Sequence, residues 1–170
     1  VLGGLHVSTA DYLRMSDGAR FDARTPAASV LSAAPPAAFG FLGPTAAAVR
    51  FEGARGREPG SGFDAGIGAA AGADFSVSAG SVALTDGTTV AGARVGAALY
   101  SFGGRVAIDA AAGTGEVALP GAPPVTAPAP LGGEVRLGGQ STLLQQEGAG
   151  VAIRGGQLVF EEGAGVRAQT

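Results

Sequence analysis

A short alternation of apolar with small or polar residues recurs along the chain, and its spacing constrains the fold more than any other feature. Near the end of the sequence, such runs contain Val151, Leu158 and Val166, at intervals of 7 and 8 residues. Alternation with a period of two is typical of half-buried β-strands, in which successive side chains point to opposite faces. The same pattern is found at residues 75–79, 82–85, 106–108, 117–119, 135–137, 151–153 and 158–160.

A longer period is built from these short runs. Val135 and Leu158 are 23 residues apart, and Leu84 and Val106 are 22 apart. Three strands with glycine corners give a period of this size, which lies in the range of solenoid repeats. We therefore expect an all-β fold, a parallel β-helix (β-solenoid) with loop excursions, in which each strand pairs with its equivalent one coil later. A glycine-rich antiparallel sandwich is the alternative, because its strands also recur every ~8–12 residues.

The composition agrees with thin walls and frequent corners. The 170 residues include 31 glycines and 36 alanines, and glycine allows the sharp turns that each corner of a solenoid needs. Lysine, cysteine and asparagine are absent, which excludes a phosphate-loop lysine, a lysine Schiff base, a thiolate zinc site and disulfides. The net charge is −3 and the arginines are scattered, so we expect no nucleic-acid partner.

Two stretches depart from the strand pattern. Residues 121–133 contain closely spaced prolines, which cannot join a β-ladder, and we expect a polyproline-like loop that leaves one corner and interrupts the repeat once. Residues 52–74 are glycine-rich and charged, and we expect a second loop there.

The residues offer few candidates for catalysis or metal binding. His6 is the only histidine, and we expect it to be a surface or strand-end residue.

The alternative in which the protein is an enzyme is a solenoid polysaccharide lyase or hydrolase. Its catalytic centre would be Asp109 together with Arg105 or Arg136. Glu161 and Glu162 are expected to be adjacent in a strand and to point to opposite faces. The segments 60–64 and 72–75 loosely match calcium-binding solenoid repeats, but the tandem nonapeptide is missing, so we expect neither metal nor cofactor.

Two segments near the start carry a resemblance to a known family. The first has a Ser-Thr-Ala-Asp-x-Leu step that includes Ser8, Thr9, Asp11 and Leu13, and the second reads Pro-x-Ala-Phe-Gly-Phe-Leu over residues 36–42. Together they resemble the end of the haemagglutination-activity secretion domain of filamentous-haemagglutinin-like exoproteins. The later segments 103–108, 115–117 and 151–159 are also similar to that family, so the resemblance covers most of the chain.

The family segments also suggest local structural roles. Ser8 or Thr9, and likewise Asp11, can accept a hydrogen bond from a following backbone N–H and so fix a turn out of the strand. Phe39 and Phe41 flank Gly40, and we expect the two rings to point to opposite faces.

The resemblance implies a domain division and a fragment. Residues 1–44 would be the C-terminal part of a secretion-like domain, and residues 45–170 would be continuing β-helix coils. The family's Asn-Pro-Asn-Gly signature would lie upstream of residue 1. Since the chain begins Val-Leu-Gly-Gly without an initiator methionine, we expect a fragment.

The resemblance further implies a function. The chain would be a piece of a secreted, right-handed parallel β-helical exoprotein at the surface of a Gram-negative-type bacterium. It would be exported by two-partner secretion through a dedicated outer-membrane transporter, and it would be a monomeric adhesin rather than an enzyme. Its further partner would be a ligand on a host or neighbouring cell. The absence of cysteine fits such export, since no disulfide can lock the chain before it crosses the outer membrane. A ligand-free spacer of a surface fibre is the third alternative.

Overall fold

The computed structural model describes residues 4–30, 32–44, 46–53, 66–88 and 94–169. Within them the chain forms eighteen strands and one single-turn 3-10 helix (Pro26–Ala28). The prediction of an all-β fold is therefore confirmed. The strands are β1 (Leu5–Ser8), β2 (Tyr12–Met15), β3 (Arg20–Asp22), β4 (Pro36–Phe41), β5 (Ala48–Glu52), β6 (Gly66–Gly68), β7 (Phe75–Ala79), β8 (Ser81–Thr85), β9 (Gly87–Thr88), β10 (Arg94–Val95), β11 (Ala98–Phe102), β12 (Val106–Ala110), β13 (Gly115–Ala118), β14 (Glu134–Leu137), β15 (Thr142–Gln146), β16 (Val151–Arg154), β17 (Gln157–Phe160) and β18 (Gly165–Gln169).

Three four-stranded sheets contain only parallel pairs, each with its strands in chain order. The first sheet is β1-β7-β12-β16, the second is β5-β8-β14-β17 and the third is β6-β11-β15-β18. The chain visits the first, second and third sheets in that order, and it does so four times. We call each set of three strands a round: β1/β5/β6, β7/β8/β11, β12/β14/β15 and β16/β17/β18.

The register tests the two spacings read from the sequence. Val135 pairs with Leu158, 23 residues later, as the spacing predicted. The pairing implied for Leu84 and Val106 is wrong, because these residues lie in different sheets. Leu84 pairs with Leu137 and Val106 pairs with Phe75.

The main hydrophobic core is made by equivalent residues of successive rounds. In the two middle rounds, large apolar side chains at alternate strand positions are fully buried, and they include Phe75, Leu84, Leu99 and Ile108. These four come from all three parallel sheets and belong to one contiguous cluster. The alternation read from the sequence therefore marks the face of each strand that packs into this core.

A fourth sheet is antiparallel and consists of β3, β2, β4 and β13. We call it the excursion sheet, because along the chain its strands come after a strand of the first parallel sheet and before the next strand of the second parallel sheet. Residues 9–47 leave the first round in this way, and residues 111–133 leave the third.

The excursion sheet corrects two predictions. The repeat is interrupted at residues 9–47 as well as near the proline-rich loop, rather than once. Strand β13 with Val117 is a strand of this antiparallel sheet and not of the parallel stack. Alternation reports which face of a strand is buried, but it carries no information on the strand's partner.

The expected loop at 52–74 is partly wrong. Strand β6 lies within it and pairs in parallel with β11, with Ile67 opposite Leu99. A single apolar residue between two glycines is too little alternation for a strand to be read from the sequence. Residues 54–65 of that stretch lie outside the described residues.

Glycine pairs form corners at the predicted places. Gly103 and Gly104 connect β11 to β12, and Gly103 has a φ of 81°, which favours glycine. The pair 155–156 connects β16 to β17, and the pair 132–133 precedes β14. Over the described part of the chain, no helix is long and apolar enough to cross a membrane.

Candidate functional site

The excursion sheet brings the two family-like segments side by side. Leu13 of β2 lies opposite Phe39 of β4, and Tyr12 lies opposite Gly40, in an antiparallel pair. The carboxylate of Asp11 accepts a hydrogen bond from the backbone N–H of Leu42 at 2.6 Å. Residues that are about thirty positions apart in the sequence therefore form one structural unit.

The three polar residues at the start of this unit have distinct roles. Ser8 accepts a hydrogen bond from the backbone N–H of Ala10 at 3.0 Å, as predicted, and also donates to the carbonyl of Ser78. Of the two residues expected to fill this role, Ser8 does so, while the Thr9 hydroxyl donates to the carbonyl of Ala47 at 2.8 Å. It thereby ties the start of the first excursion to its end. Asp11 accepts from a backbone N–H as expected, but from Leu42, just after the end of β4, rather than from its own turn.

Phe39 and Phe41 contradict the prediction that they point to opposite faces. Residues two apart in a strand project to the same face, and both rings belong to a second hydrophobic cluster with Val117 and Leu131. This cluster contains residues of both excursions. It is separate from the main hydrophobic core.

Gly40 is the centre of the opposite, polar face of the sheet. It lies between Tyr12 on one side and Glu116 on the other. The Tyr12 ring lies across Gly40, so that a Cβ there would overlap the ring. The Tyr12 hydroxyl reaches past the glycine and donates to the Glu116 carboxylate at 2.9 Å. Burial, followed by the hydrogen bond and charge of Glu116, raises the pKa of Tyr12.

Two arginines complete this face. Arg14 donates from Nε to both carboxylate oxygens of Glu116, each at 2.9 Å, with its side chain 23% exposed. Arg20 is exposed, and its guanidinium lies 4.2 Å from the centre of the Tyr12 ring. We call Tyr12, Arg14, Arg20 and Glu116 the arginine cluster.

The arginine cluster lines a groove of about 490 Å³ between the two excursions. Thr114, Pro124 and Thr126 form its other side. A second groove of about 480 Å³ is lined by Thr9, Asp11 and Arg24, where Arg24 lies 3.4 Å from the Asp11 carboxylate. Both volumes are in the range of ligand pockets in proteins.

The candidates for enzymatic chemistry lie elsewhere and are engaged in other contacts. Asp109 is buried and pairs with Arg154, at 2.6 and 2.9 Å, rather than with Arg105 or Arg136 as the enzymatic alternative required. Arg136 instead pairs with two glutamates. Burial raises the pKa of Asp109, and the Arg154 guanidinium opposes the shift.

Two further expectations concern the acidic pair and the histidine. Glu161 and Glu162 follow β17, which ends at Phe160, so the prediction that they lie within a strand is wrong.

His6 is a half-buried residue of β1, and its Nδ1 lies 2.7 Å from the Ser76 hydroxyl. Burial lowers the pKa of His6, partly opposed by Asp74.

Of the two segments that loosely match calcium-binding repeats, the structure describes residues 72–75. Asp74 accepts a hydrogen bond from the backbone N–H of Arg105, while residues 60–64 lie outside the described part of the chain. Among the described residues, no three acidic or histidine side chains are close enough to hold a metal ion together.

Sequence reasoning missed the arginine cluster. Tyr12 and Arg14 are two apart and so share a face of β2, which was a readable signal. Glu116 is 104 residues from Tyr12, and no local pattern connects the two. The isolated Gly40 between two aromatic residues was the best indication that another side chain crosses the strand at that point.

No protein family, curated protein or solved structure was found to match the chain. The geometry of the described residues and the short family-like segments are therefore the basis for a functional proposal.

Proposed function

We propose that the four rounds of strands form a right-handed parallel β-helix. The observation that supports it is the constant order in which the chain visits the three parallel sheets. Each strand pairs in register with its equivalent in the next round, as Val77 does with Ile108 and Ile108 with Ile153. Right-handedness follows from the strong preference of parallel crossover connections for that hand.

We further propose that the chain is part of a secreted bacterial exoprotein exported by two-partner secretion. The observation that carries this proposal is the pairing of the two family-like segments, Leu13 with Phe39, on the excursion sheet. In this proposal residues 1–44 are the C-terminal part of a secretion-like domain, and residues 45–170 are continuing coils. Ser8, Thr9 and Asp11 would fix the exit from β1 into the excursion.

The mechanism of export in this proposal is directional folding outside the cell. An unfolded chain emerges from the outer-membrane transporter, and the first coil forms. Each completed coil then offers unpaired N–H and C=O groups to the next segment, since the units of a solenoid contact only their neighbours. A chain without cysteine meets no covalent obstacle to this process.

The proposed product is a monomeric surface adhesin, with the transporter and a ligand on a host or neighbouring cell as its partners. A spacer in a surface fibre would share the fold and the route of export, but it would bind nothing. Adhesion of cells that display the full protein, compared with cells lacking it, distinguishes the two functions. The enzymatic alternative is not carried forward, since the buried Asp109 carboxylate pairs with the exposed Arg154 rather than with Arg105 or Arg136.

Export provides the test of this proposal. The full reading frame that contains the chain is expressed with its outer-membrane transporter, and the fraction of protein in the medium is measured. We expect deletion of residues 1–44 to abolish export and Asp11→Ala to reduce it severalfold, because the hydrogen bond to Leu42 is lost. Asp17→Ala is the matched control, because among the described residues the Asp17 carboxylate accepts hydrogen bonds from Ala19 and Ser32 and makes none to β4. Export that is unchanged by the deletion would overturn the proposal.

A further inference from the structure

Arg14 and Arg20 lie directly opposite each other in the β2–β3 pair. Like charges in this position destabilise an antiparallel pair. Arg14 is partly balanced by Glu116. Arg20 makes no ion pair with any described residue, and its guanidinium lies on the Tyr12 ring. Asp22 shares this face, opposite Tyr12, but its carboxylate accepts from the backbone N–H groups of Arg24 and Thr25. The charged side chains that line the groove are therefore Arg14, Arg20 and Glu116.

Both arginines line the groove and keep donors that have no partner among the described residues. A guanidinium has five N–H donors, and the contacts of Arg14 with Glu116 use only Nε. The terminal N–H groups of Arg14 and the guanidinium of Arg20 are therefore left for another acceptor in the groove. An anion bound between them would relieve the repulsion between the two guanidinium groups.

The groove also holds groups that suit a polyhydroxylated ligand. The exposed threonines Thr114 and Thr126 lie on the wall formed by the second excursion. The Glu116 carboxylate accepts hydrogen bonds at the boundary between the two walls. One face of the Tyr12 ring is covered by Arg20 and the other by Gly40, so recognition must come from charge and hydrogen bonds rather than from stacking on an aromatic ring.

We propose that the groove between the two excursions binds an acidic saccharide of the uronate class. The sugar carboxylate lies between Arg14 and Arg20, and sugar hydroxyls contact Thr114, Thr126 and Glu116. Arginine suits this role because its planar group presents paired donors to a carboxylate. The inference rests on the proposed adhesin function and gives it a ligand class.

Hydrogen bonds within the arginine cluster position two of its side chains before any ligand binds. Glu116 fixes Arg14 and Tyr12 through three hydrogen bonds. Tyr12 in turn supports Arg20, and Gly40 leaves room for the ring. Rigid placement of the donors lowers the entropic cost of binding, which matters for a small ligand in an open groove.

The test is direct binding of trigalacturonate to the purified chain at low ionic strength, measured by calorimetry. Its fully methyl-esterified form is the matched neutral ligand, and triglutamate tests for peptide carboxylates. We expect the ester to bind at least about tenfold more weakly than trigalacturonate, because charge-assisted hydrogen bonds are roughly twice as strong as neutral ones.

Arg20→Gln is expected to weaken trigalacturonate binding by a similar factor. Arg50→Gln is the control, since Arg50 is an exposed arginine of β5 that does not line the groove, and it should leave binding within about twofold.

Several results would overturn the inference. One is an affinity for the methyl ester equal to that for trigalacturonate, and another is an equal loss of affinity in Arg20→Gln and Arg50→Gln. The others are tighter binding of triglutamate than of trigalacturonate, and no trigalacturonate binding by a chain that circular dichroism shows to be folded. Failure of this inference is distinguishable from failure of the proposed function, because export is measured without any saccharide. Loss of export on deleting residues 1–44, together with no uronate binding, would reject only the ligand.

Discussion

Replacing Phe75 by alanine is expected to lower the free energy of unfolding by about 3–5 kcal/mol, the usual cost of truncating a buried aromatic residue. Phe75 is fully buried and is the central member of the ladder that joins Leu5, Phe75 and Val106. Its loss leaves a cavity beside three rounds of strands. Urea unfolding followed by circular dichroism measures the change.

Phe160→Ala is the matched control for Phe75→Ala. Phe160 also lies in a parallel sheet, but it belongs to the last round and is 49% exposed. We expect its truncation to cost about 1 kcal/mol or less, since little apolar area is returned to water. Phe75→Leu should give an intermediate loss and remains measurable if the alanine variant does not fold. Equal losses for Phe75→Ala and Phe160→Ala would contradict the description of the core.

Replacing Gly40 by alanine is expected to cost about 3 kcal/mol, from overpacking and the loss of a buried hydrogen bond. A Cβ at this position would overlap the Tyr12 ring. The ring must then leave its place, and its hydroxyl loses Glu116. The free energy of unfolding, measured in urea, reports the loss.

A double-mutant cycle separates this cause from a general cost of alanine in β4. In a Tyr12→Ala background the ring is absent, so Gly40→Ala should be close to neutral, with a coupling of about 2 kcal/mol or more between the two sites. Gly113→Ala is the control outside the cluster, because a Cβ there meets only the Pro130 ring at an ordinary contact distance of 3.4 Å. A cost for Gly40→Ala that is the same in both backgrounds would show that the ring does not cross this glycine.

The sequence predicts most strands of the three parallel sheets, but it predicts only some of the pairings between them. Alternation located β7, β12 and β14 because large apolar residues occupy one face of each strand, while small, polar or charged residues occupy the other. The Val135–Leu158 pair was found because no excursion separates β14 from β17. The pairing of Leu84 with Leu137 could not be found, since residues 111–133 lie between them and change the spacing.

The candidate site was predictable to a smaller extent. The family-like segments singled out Leu13, Phe39 and Gly40, and the structure shows what the sequence did not predict, that the two segments pair with each other. The chemistry of the groove depends on Glu116, which reaches Tyr12 only because the two excursions leave the parallel stack at equivalent connections. Such a contact is a property of the tertiary arrangement, and no local pattern in the sequence specifies it.

The stacking of successive rounds is the central claim, and disulfide trapping tests it most directly. The chain has no cysteine, so each pair of introduced cysteines reports one distance without background. In the second sheet Ala83 lies beside Arg136, and Arg136 lies beside Val159. Ala83 and Val159 are two strands apart, roughly 10 Å, beyond the ~7 Å limit for a disulfide.

We expect the Ala83→Cys/Arg136→Cys and Arg136→Cys/Val159→Cys variants to form intramolecular disulfides under mild oxidation, measured by mass spectrometry. The Ala83→Cys/Val159→Cys variant should remain reduced under the same conditions. Trapping of both neighbouring pairs but not of the third is the result predicted for parallel rounds stacked in register. Trapping of the third pair alone, or of neither neighbouring pair in a folded chain, would contradict it.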